Sequence, residues 1–127
     1  MIQKEITICG KQVIVAYCYA TEINYKNKSK EDILGIIREI VDTFREQKNM
    51  PDVQKSIWLI LAAAKAYYDS QNKQMPIDEE MMKNEVTPDE LGTALAIIFG
   101  LRAEFHMIPD EQEEEEQKQE EENPKNA

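Results

Sequence analysis

The sequence predicts a mainly α fold of the α+β class, in which an N-terminal β-hairpin docks on a small bundle of about four helices. Three observations support this prediction. Two β-branched segments lie close to the N-terminus, helix-start signals with helical apolar spacing follow them, and the chain continues into a Glu-rich run. We therefore predict a helical domain with its hairpin over residues 1–109 and a disordered acidic tail over residues 110–127.

The hairpin is predicted from two strand-like segments on either side of a turn. Residues 3–9 alternate in polarity and place Ile6 and Ile8 on one face. Gly10 and Lys11 supply the turn, and residues 12–16 are rich in β-branched side chains. An isolated hairpin is only marginally stable in water, so this one requires a surface on which to dock.

An amphipathic helix is the next clear element. Before it, residues 17–26 are interpreted as a short helix with Tyr17, Ala20 and Ile23 on one side, broken by polar residues from Asn24. Residues 29–32 have the form of a capping box. The predicted apolar face of the amphipathic helix consists of Ile33, Ile36, Ile37, Ile40, Val41 and Phe44.

The central apolar stretch, residues 57–68, reads IWLILAAAKAYY, and its first eight residues carry no polar side chain. A helix that is apolar on nearly every side is buried or faces a partner. Asp52 is placed to cap this helix, which we expect to end near Ser70, and Asp78 is placed to cap a short helix over residues 79–84. The stretch is too short to span a membrane and contains Lys65.

The last helix has the strongest start signal, the capping box formed by Thr87 and Glu90 with Pro88 between them. We expect it to end at Pro109. Its predicted core face consists of Leu91, Ala94, Leu95, Ile98, Leu101 and Phe105. A second line, of small residues, consists of Gly92, Ala96, Gly100 and Ala103. Either this line lets the two apolar helices approach closely, or one of those helices is partly a binding surface.

The negative charge is concentrated in the acidic tail. The chain has a formal charge of −10, of which residues 110–127 carry −7 and the helical domain −3. The domain therefore lacks the concentrated Lys/Arg patch that nucleic-acid binding requires. We interpret the tail as an extension that keeps the protein and its client soluble, with mimicry of a nucleic acid as the alternative.

The residues that carry chemistry in other proteins form no recognisable site in this sequence. His106 is the only histidine, and the acidic residues 78–85 lack the glycine and the ligand spacing of a calcium loop. No nucleophile elbow, phosphate loop or dinucleotide fingerprint is present. Cys9 and Cys18 are expected to be reduced thiols. We predict a non-enzymatic cytoplasmic protein without catalytic residues, metal or cofactor.

A partner-binding surface is predicted from apolar residues that fall outside the main core faces. Methionine adapts to irregular partners, although each methionine could equally fill a gap in the core. The predicted partner-binding residues are Trp58, Met81, Met82, Ile97 and Phe99. The search for a partner would begin with Ile97 and Phe99.

The order of these features resembles that of the tail assembly chaperones of long-tailed bacteriophages, which also occur in prophages. The hairpin with its Gly-Lys turn leads into an aromatic segment with Ala-Xaa-Glu-Ile at residues 20–23, then into helices, an apolar last helix and a Glu-rich tail ending Pro-Lys-Asn-Ala. The resemblance implies a protein that binds the tape-measure protein, keeps it soluble and passes it to tail-tube subunits, and that is absent from the mature virion. It supplies no site residues. A homo-oligomer is also possible.

The resemblance also implies a programmed ribosomal frameshift. Pro124, Lys125 and Asn126 can be encoded CCA AAA AAC, which contains a slippery heptamer. The alternative function is an acidic regulator that mimics nucleic acid and binds a host DNA-binding protein. The gene sequence tests the frameshift, and a tape-measure gene directly downstream would favour the chaperone over the mimic.

Overall fold

The computed structural model describes residues 1–46 and 50–121, with the side chains of the last helix described as far as Met107. The predicted α+β fold with an N-terminal antiparallel hairpin is confirmed, and the described residues form five helices where about four were expected. In chain order the elements are β1 (Ile2–Ile8), β2 (Lys11–Tyr17), α1 (Tyr19–Ser29), α2 (Ile33–Glu46), α3 (Val53–Ser70), α4 (Glu79–Glu85) and α5 (Pro88–Glu121).

The hairpin turn lies one residue earlier than predicted. Cys9 and Gly10 form a two-residue turn with φ angles of 53° and 72°, and Lys11 already pairs with Ile8 in the ladder. Two-residue turns with positive φ at both positions match the right-handed twist of the strands, and glycine adopts such angles at no steric cost. The resulting register pairs Ile6 with a buried valine of β2 on the core face.

Helix α1 buries a different face from the one predicted. Tyr17 ends strand β2, while Ala20 and Ile23 are exposed on the helix. The buried residues are Thr21 and Tyr25. The helix also continues to Ser29, through the polar residues that were expected to end it.

Polar contacts explain the buried face of α1. The Thr21 hydroxyl donates to the carbonyl of Ala16 at 2.8 Å, and its oxygen accepts from the backbone N–H of Cys18 at 3.2 Å. The Tyr25 hydroxyl donates to the Glu31 carboxylate at 2.9 Å. Because buried polar groups need hydrogen-bond partners, these contacts select a face that apolar spacing alone does not indicate.

Helix α2 is not capped by the predicted capping box over residues 29–32. The side chain of Asp32 accepts from the backbone N–H of Leu34 at 2.8 Å, whereas Ser29 belongs to the end of α1. The first two-thirds of the predicted apolar face is buried, and the last residue of that face, Phe44, is 51% exposed. The buried positions are Ile33, Ile36, Ile37 and Ile40.

Helix α3 lies at the centre of the fold, as predicted, and packs against β2, α1, α4 and α5. Asp52 caps it by accepting from the backbone N–H of Lys55 at 2.9 Å. Its buried apolar residues are Ile57, Leu59, Ile60, Ala62, Ala63, Ala64 and Ala66. In the parts of the chain that are described, no helix has the length and apolar character needed to cross a membrane.

Helix α5 starts as predicted but does not end at Pro109. Thr87 and Glu90 form both bonds of the capping box, each at 3.2 Å. The helical backbone continues to Glu121, past a proline that cannot donate a helix hydrogen bond and over residues predicted to be disordered. The Glu- and Gln-rich composition has good helix propensity, which favours such a backbone without requiring a packing partner. Residues 122–127 of the predicted tail, with the proposed frameshift codons, lie outside the described residues.

Candidate partner-binding surface

Helix α5 is buried along one face and open along another. Leu95 and Ile98 are fully buried, while Ala96 and Gly100 are exposed. A Cβ at Gly100 would meet no atom within 4 Å. The line of small residues is therefore largely surface, so its suggested role in close packing between the two apolar helices is wrong. Helix α5 is partly exposed, and the alternative that it is partly a binding surface stays a prediction.

An apolar groove lies between the end of α2 and the open face of α5. Its volume is about 570 Å³. The Phe44 and Phe99 side chains belong to opposite walls, and the buried Ile40 contributes to the base. We call this feature the α2–α5 groove, and its lining consists of Ile40, Val41, Phe44, Arg45, Ala96 and Phe99.

The groove exists because the apolar face of α2 is longer than the core that it covers. The helix buries its first turns, but Val41 is only partly buried and Phe44 lies half in solvent. The prediction that Phe44 belongs to the core is therefore wrong. Large apolar side chains that remain exposed side by side are typical of an interaction surface, whereas scattered single ones are not.

A second apolar cleft, of about 640 Å³, lies between α3, α4 and the start of α5. Met50 and Val53 line it, and both are more than two-fifths exposed. The methyl carbon of Met50 lies 3.8 Å from the position that a Cβ on Gly92 would occupy, one helical turn before Ala96. Both features border α5, the cleft at Leu91 and the α2–α5 groove at Ala96 and Phe99.

Of the five predicted partner-binding residues, only Phe99 lines the α2–α5 groove. Ile97 faces the other side of α5, in a shallow pocket shared with Ile6 of the hairpin. Met82 is fully buried in the core, which leaves it no exposed surface for a partner and corrects its prediction. Met81 is partly buried, and its carbonyl accepts from the Cys9 thiol at 3.7 Å.

Trp58, the fifth predicted residue, takes part in a polar network centred on Glu79. The Trp58 indole N–H donates to the Glu79 carboxylate at 3.3 Å, and Gln54 donates to the same oxygen at 3.0 Å. Lys28 forms an ion pair with Glu79 at 3.1 Å. The hydrogen bond from Lys28 foremost, together with those from Trp58 and Gln54, holds the pKa of Glu79 below its ordinary value. The network joins α1, α3 and α4. Trp58 therefore has a structural role in holding these helices together.

A second carboxylate, Glu90, joins the hairpin to α5. It accepts from the backbone N–H groups of Cys9 at 3.0 Å and Gly10 at 3.2 Å, in addition to its capping bond with Thr87. Hydrogen bonds from Thr87 foremost, and from the two turn residues, hold the pKa of Glu90 below its ordinary value. This contact joins the start of α5 to the hairpin turn.

The single histidine also has a structural contact. His106 Nε2 lies 3.1 Å from a Glu22 carboxylate oxygen, which accepts from the Tyr17 hydroxyl at 2.8 Å. The helical backbone continues beyond His106 to Glu121. Over the described ranges, no group of three His, Cys, Asp or Glu side chains could hold a metal ion.

The groove combines one predicted residue with two that were assigned to the core. Val41 and Phe44 continue the helical spacing of α2, and spacing alone cannot show where the core beneath a helix stops. A signal was present in the sequence, because Phe44 falls in the last turn of a helix whose earlier turns already supply four isoleucines. The signal becomes interpretable only when the position of α5 is known.

Comparison with known proteins gives no relative: no family model matches the chain, and neither the curated proteins nor the solved structures contain a significant match.

Proposed function

We propose that this protein is a non-enzymatic tail assembly chaperone of a long-tailed bacteriophage or prophage. In this role it binds the tape-measure protein in the host cytoplasm, keeps it soluble and releases it to the tail-tube protein. The observation that carries the binding part of the proposal is the α2–α5 groove, with Phe44 and Phe99 presented on its two walls. The choice of client comes from the resemblance in the order of sequence features.

The groove has the properties expected of a receptor for a client helix. Helical segments dock in apolar grooves through side chains spaced three and four residues apart, and aromatic anchors carry much of the binding energy. Phe44 is half exposed, and the open face of α5 offers Ala96 beside it. The charge of −7 over residues 110–127 would keep a complex with a sticky client soluble.

Co-expression tests the proposal. The protein is produced together with the long helical protein encoded beside it, and the soluble fraction of that client is measured. Phe44→Asp combined with Phe99→Asp should remove most of the soluble client, because a carboxylate in an apolar contact lacks a partner. Ile23→Asp is the matched control, since Ile23 is 57% exposed on α1 and is not among the groove residues. A client that remains insoluble with the wild-type protein would contradict the proposal.

The acidic regulator is the second candidate, and the observation that favours it is the acidic run on α5. Residues 110–121 contain eight acidic residues and one lysine on a helical backbone. A protein truncated after Pro109 separates the two functions. A chaperone should still bind its client through the groove, whereas a nucleic-acid mimic should no longer displace DNA from a DNA-binding protein.

A further inference from the structure

We infer that the open edge of β1 binds an extended segment of another protein, one that carries a Lys or Arg and an apolar residue four positions apart. The segment adds a third strand to the hairpin, in a groove between β1 and α5. The inference is independent of the proposed function, because this surface and the α2–α5 groove lie on different sides of α5.

The ladder leaves alternate backbone groups of β1 without a partner strand. In an antiparallel pair, residues that exchange both backbone hydrogen bonds alternate with residues that exchange none. The two-residue turn makes Ile8 and Lys11 a bonded pair, so the N–H and C=O groups of Gln3, Glu5 and Thr7 point away from β2. All three residues are exposed, and no backbone group elsewhere in the described residues bonds to their outward groups.

The opposite edge of the hairpin supports this assignment. Ile14 lies directly opposite Glu5, and its outward N–H donates to the Tyr68 hydroxyl at 3.2 Å. On the same edge, the carbonyl of Ala16 accepts from the Thr21 hydroxyl at 2.8 Å. Helices α3 and α1 thus use the edge of β2, whereas the edge of β1 remains open.

Helix α5 runs lengthwise beside β1. Its start is joined to the hairpin turn through Glu90 and Cys9. Further along, the Phe105 ring lies 5.6 Å from that of Tyr17, which pairs with Ile2. From position 90 to 105 the helix rises about 22 Å, and from position 9 to 2 the strand covers about 23 Å. The two lengths agree, so α5 is antiparallel to β1.

A shallow groove of about 360 Å³ accompanies the strand. Glu5 and Thr7 line it on β1, and Asp89, Thr93 and Ile97 line it on α5. We call it the β1–α5 groove. The three helix residues recur every four positions, which places them along one side of α5. Main-chain hydrogen bonds to an exposed edge hold an extended peptide, and the adjoining side chains select its sequence.

The lining of the β1–α5 groove specifies the chemistry of the segment. Glu5, Asp89 and Glu90 contribute carboxylates, and none of the described lining residues is Lys, Arg or His. Ile97 offers an apolar contact about 12 Å along the helix from Asp89, a distance that a strand covers in about four residues. The segment that fits therefore carries a basic and an apolar residue four positions apart, which share one face of a strand.

The charges of β1 disfavour a second copy of this chain as the occupant. Antiparallel pairing of two β1 strands over their full length places Glu5 directly opposite Glu5 of the second copy. A shift of two residues toward the N-terminus places Lys4 opposite Lys4 instead. Like charges directly opposite one another destabilise a ladder, whereas opposite charges stabilise it. The longest self-pairing therefore carries a charge clash that a basic partner strand avoids.

Amide hydrogen exchange, measured by NMR on the full-length protein, tests the open edge. In the free protein, the N–H groups of Gln3, Glu5 and Thr7 should exchange at least about tenfold faster than those of Lys4 and Ile6, which bond within the ladder. A saturating peptide that adds a strand should slow the three outward amides by about tenfold or more.

Labelled extended peptides of about eight residues test the chemistry of the segment. The first has a threonine-rich sequence with one lysine and one valine four positions apart, and two control peptides carry glutamine or glutamate in place of the lysine. By fluorescence anisotropy, the lysine peptide should bind about tenfold more tightly than the glutamine peptide, and the glutamate peptide should bind most weakly.

N-methylated versions of the lysine peptide test its backbone. Methyl groups are placed on alternate amides, in one peptide along one edge of the strand and in a second peptide along the other edge. Only one edge of an added strand bonds to β1, so one pattern should abolish binding and the other should leave the affinity within about threefold.

Variants of the protein assign the contacts. Thr7→Pro removes an outward N–H from an edge strand and should weaken the lysine peptide by about tenfold, whereas Thr7→Val retains the amide and is the matched control. Asp89→Asn should reduce the preference for lysine over glutamine, and Glu104→Gln, at an exposed position outside the groove, should not. Circular dichroism verifies that each variant is folded.

The possible failures are distinguishable. Slow exchange of Gln3, Glu5 and Thr7 in the free protein would show that the edge is covered, and sedimentation as a dimer would identify a second copy as its cover. Either result would overturn the inference, as would equal binding of the two N-methylated peptides or of the lysine and glutamine peptides. Phe44→Asp with Phe99→Asp should leave peptide binding unchanged, so failure of the chaperone function in co-expression is a separate result.

Discussion

Helices α3 and α5 have similar apolar sequences but opposite environments. Over residues 57–64, which have no polar side chain, α3 leaves only Trp58 and Leu61 partly exposed. The corresponding stretch of α5 buries Leu95 and Ile98 but leaves Ala96 and Gly100 in solvent. The comparison shows that an apolar sequence permits burial, whereas the extent to which neighbouring elements cover a helix determines how much of it is buried.

The neighbours of the two helices explain the difference. α3 is packed by the second strand of the hairpin and by α1, α4 and α5. On α5, the hairpin lies against the Ile97 side, and the last turn of α2 approaches the Phe99 side without covering it. Part of the exposed apolar surface of the described residues therefore lies along α5, where Ala96 and Phe99 form one wall of the α2–α5 groove.

The largest expected effect is a core truncation in α3. Leu59 is fully buried, so Leu59→Ala should lower the free energy of unfolding by about 2–5 kcal/mol, through lost transfer energy and the cavity that remains. Urea denaturation followed by circular dichroism measures the change. The comparator is Phe99→Ala, which deletes a larger side chain from the open face of α5 and should cost less than about 2 kcal/mol. Equal losses in both variants would mean that α5 is as buried as α3.

A substantial loss of stability is expected at alkaline pH. Burial foremost, and then hydrogen bonds to Glu22 and Glu31, raise the pKa values of Tyr17 and Tyr25 well above the ordinary range. Because both phenols bind their protons more tightly in the folded state, the stability they confer is complete below about pH 10. It should then fall by about 1.4 kcal/mol per pH unit for each tyrosine as the unfolded chain ionises.

Single substitutions separate the two tyrosines. Tyr17 contacts Phe105 of α5, with ring centroids 5.6 Å apart, whereas Tyr25 is bonded to Glu31 before α2. Tyr17→Phe and Tyr25→Phe should each remove about half of the decrease in unfolding free energy per pH unit. Urea denaturation between pH 9 and 11 measures that decrease. An unchanged slope in either variant would show that the corresponding phenol ionises freely in the folded protein.

A smaller effect is expected where α5 meets the hairpin. Glu90→Gln should cost about 1 kcal/mol at pH 7, because it weakens a capping box and the bonds to the hairpin turn. The lowered pKa of Glu90 stabilises the fold above the ordinary carboxyl pKa, and this contribution should disappear as the pH falls through the lowered value. The difference between wild type and variant should therefore shrink below about pH 4. Glu104→Gln, at an exposed position of α5, is the control.

The smallest effect has the opposite sign. Gly100→Ala should stabilise the protein by about 0.5–1 kcal/mol, since alanine is the better helix former and its Cβ would meet no atom. Gly10→Ala provides the contrast, because its φ of +72° in the hairpin turn strains any other residue and the variant should be destabilised. A destabilising Gly100→Ala, detected as a lower melting temperature, would show that the face of α5 is already occupied.

Three helix caps were predictable from the sequence, whereas relations between distant elements were not. The caps at Asp52, Asp78 and Thr87 depend on residues within one helical turn, and all three were predicted and observed. The buried side of α1 depends on a hydrogen bond from Thr21 to the preceding strand, which apolar spacing does not encode.

The candidate surface was only partly predictable for the same reason. Phe99 was identified because it lies off the core face of its own helix. Its partner Phe44 was misassigned, because the position of α5 relative to the end of α2 is a tertiary property. Trp58 was selected because it falls outside the main core faces, whereas its hydrogen bond goes to Glu79, 21 residues further along the chain.

The bond between Glu90 and the hairpin turn has a consequence for synthesis of the protein. The carboxylate and the Cys9 amide that it accepts from are 81 residues apart. At translation rates of about 5–20 residues per second, the ribosome makes the hairpin turn roughly 4–16 s before it makes Glu90. During that interval a marginally stable hairpin has no completed docking surface. The contact between the hairpin turn and the start of α5 therefore forms only late in translation.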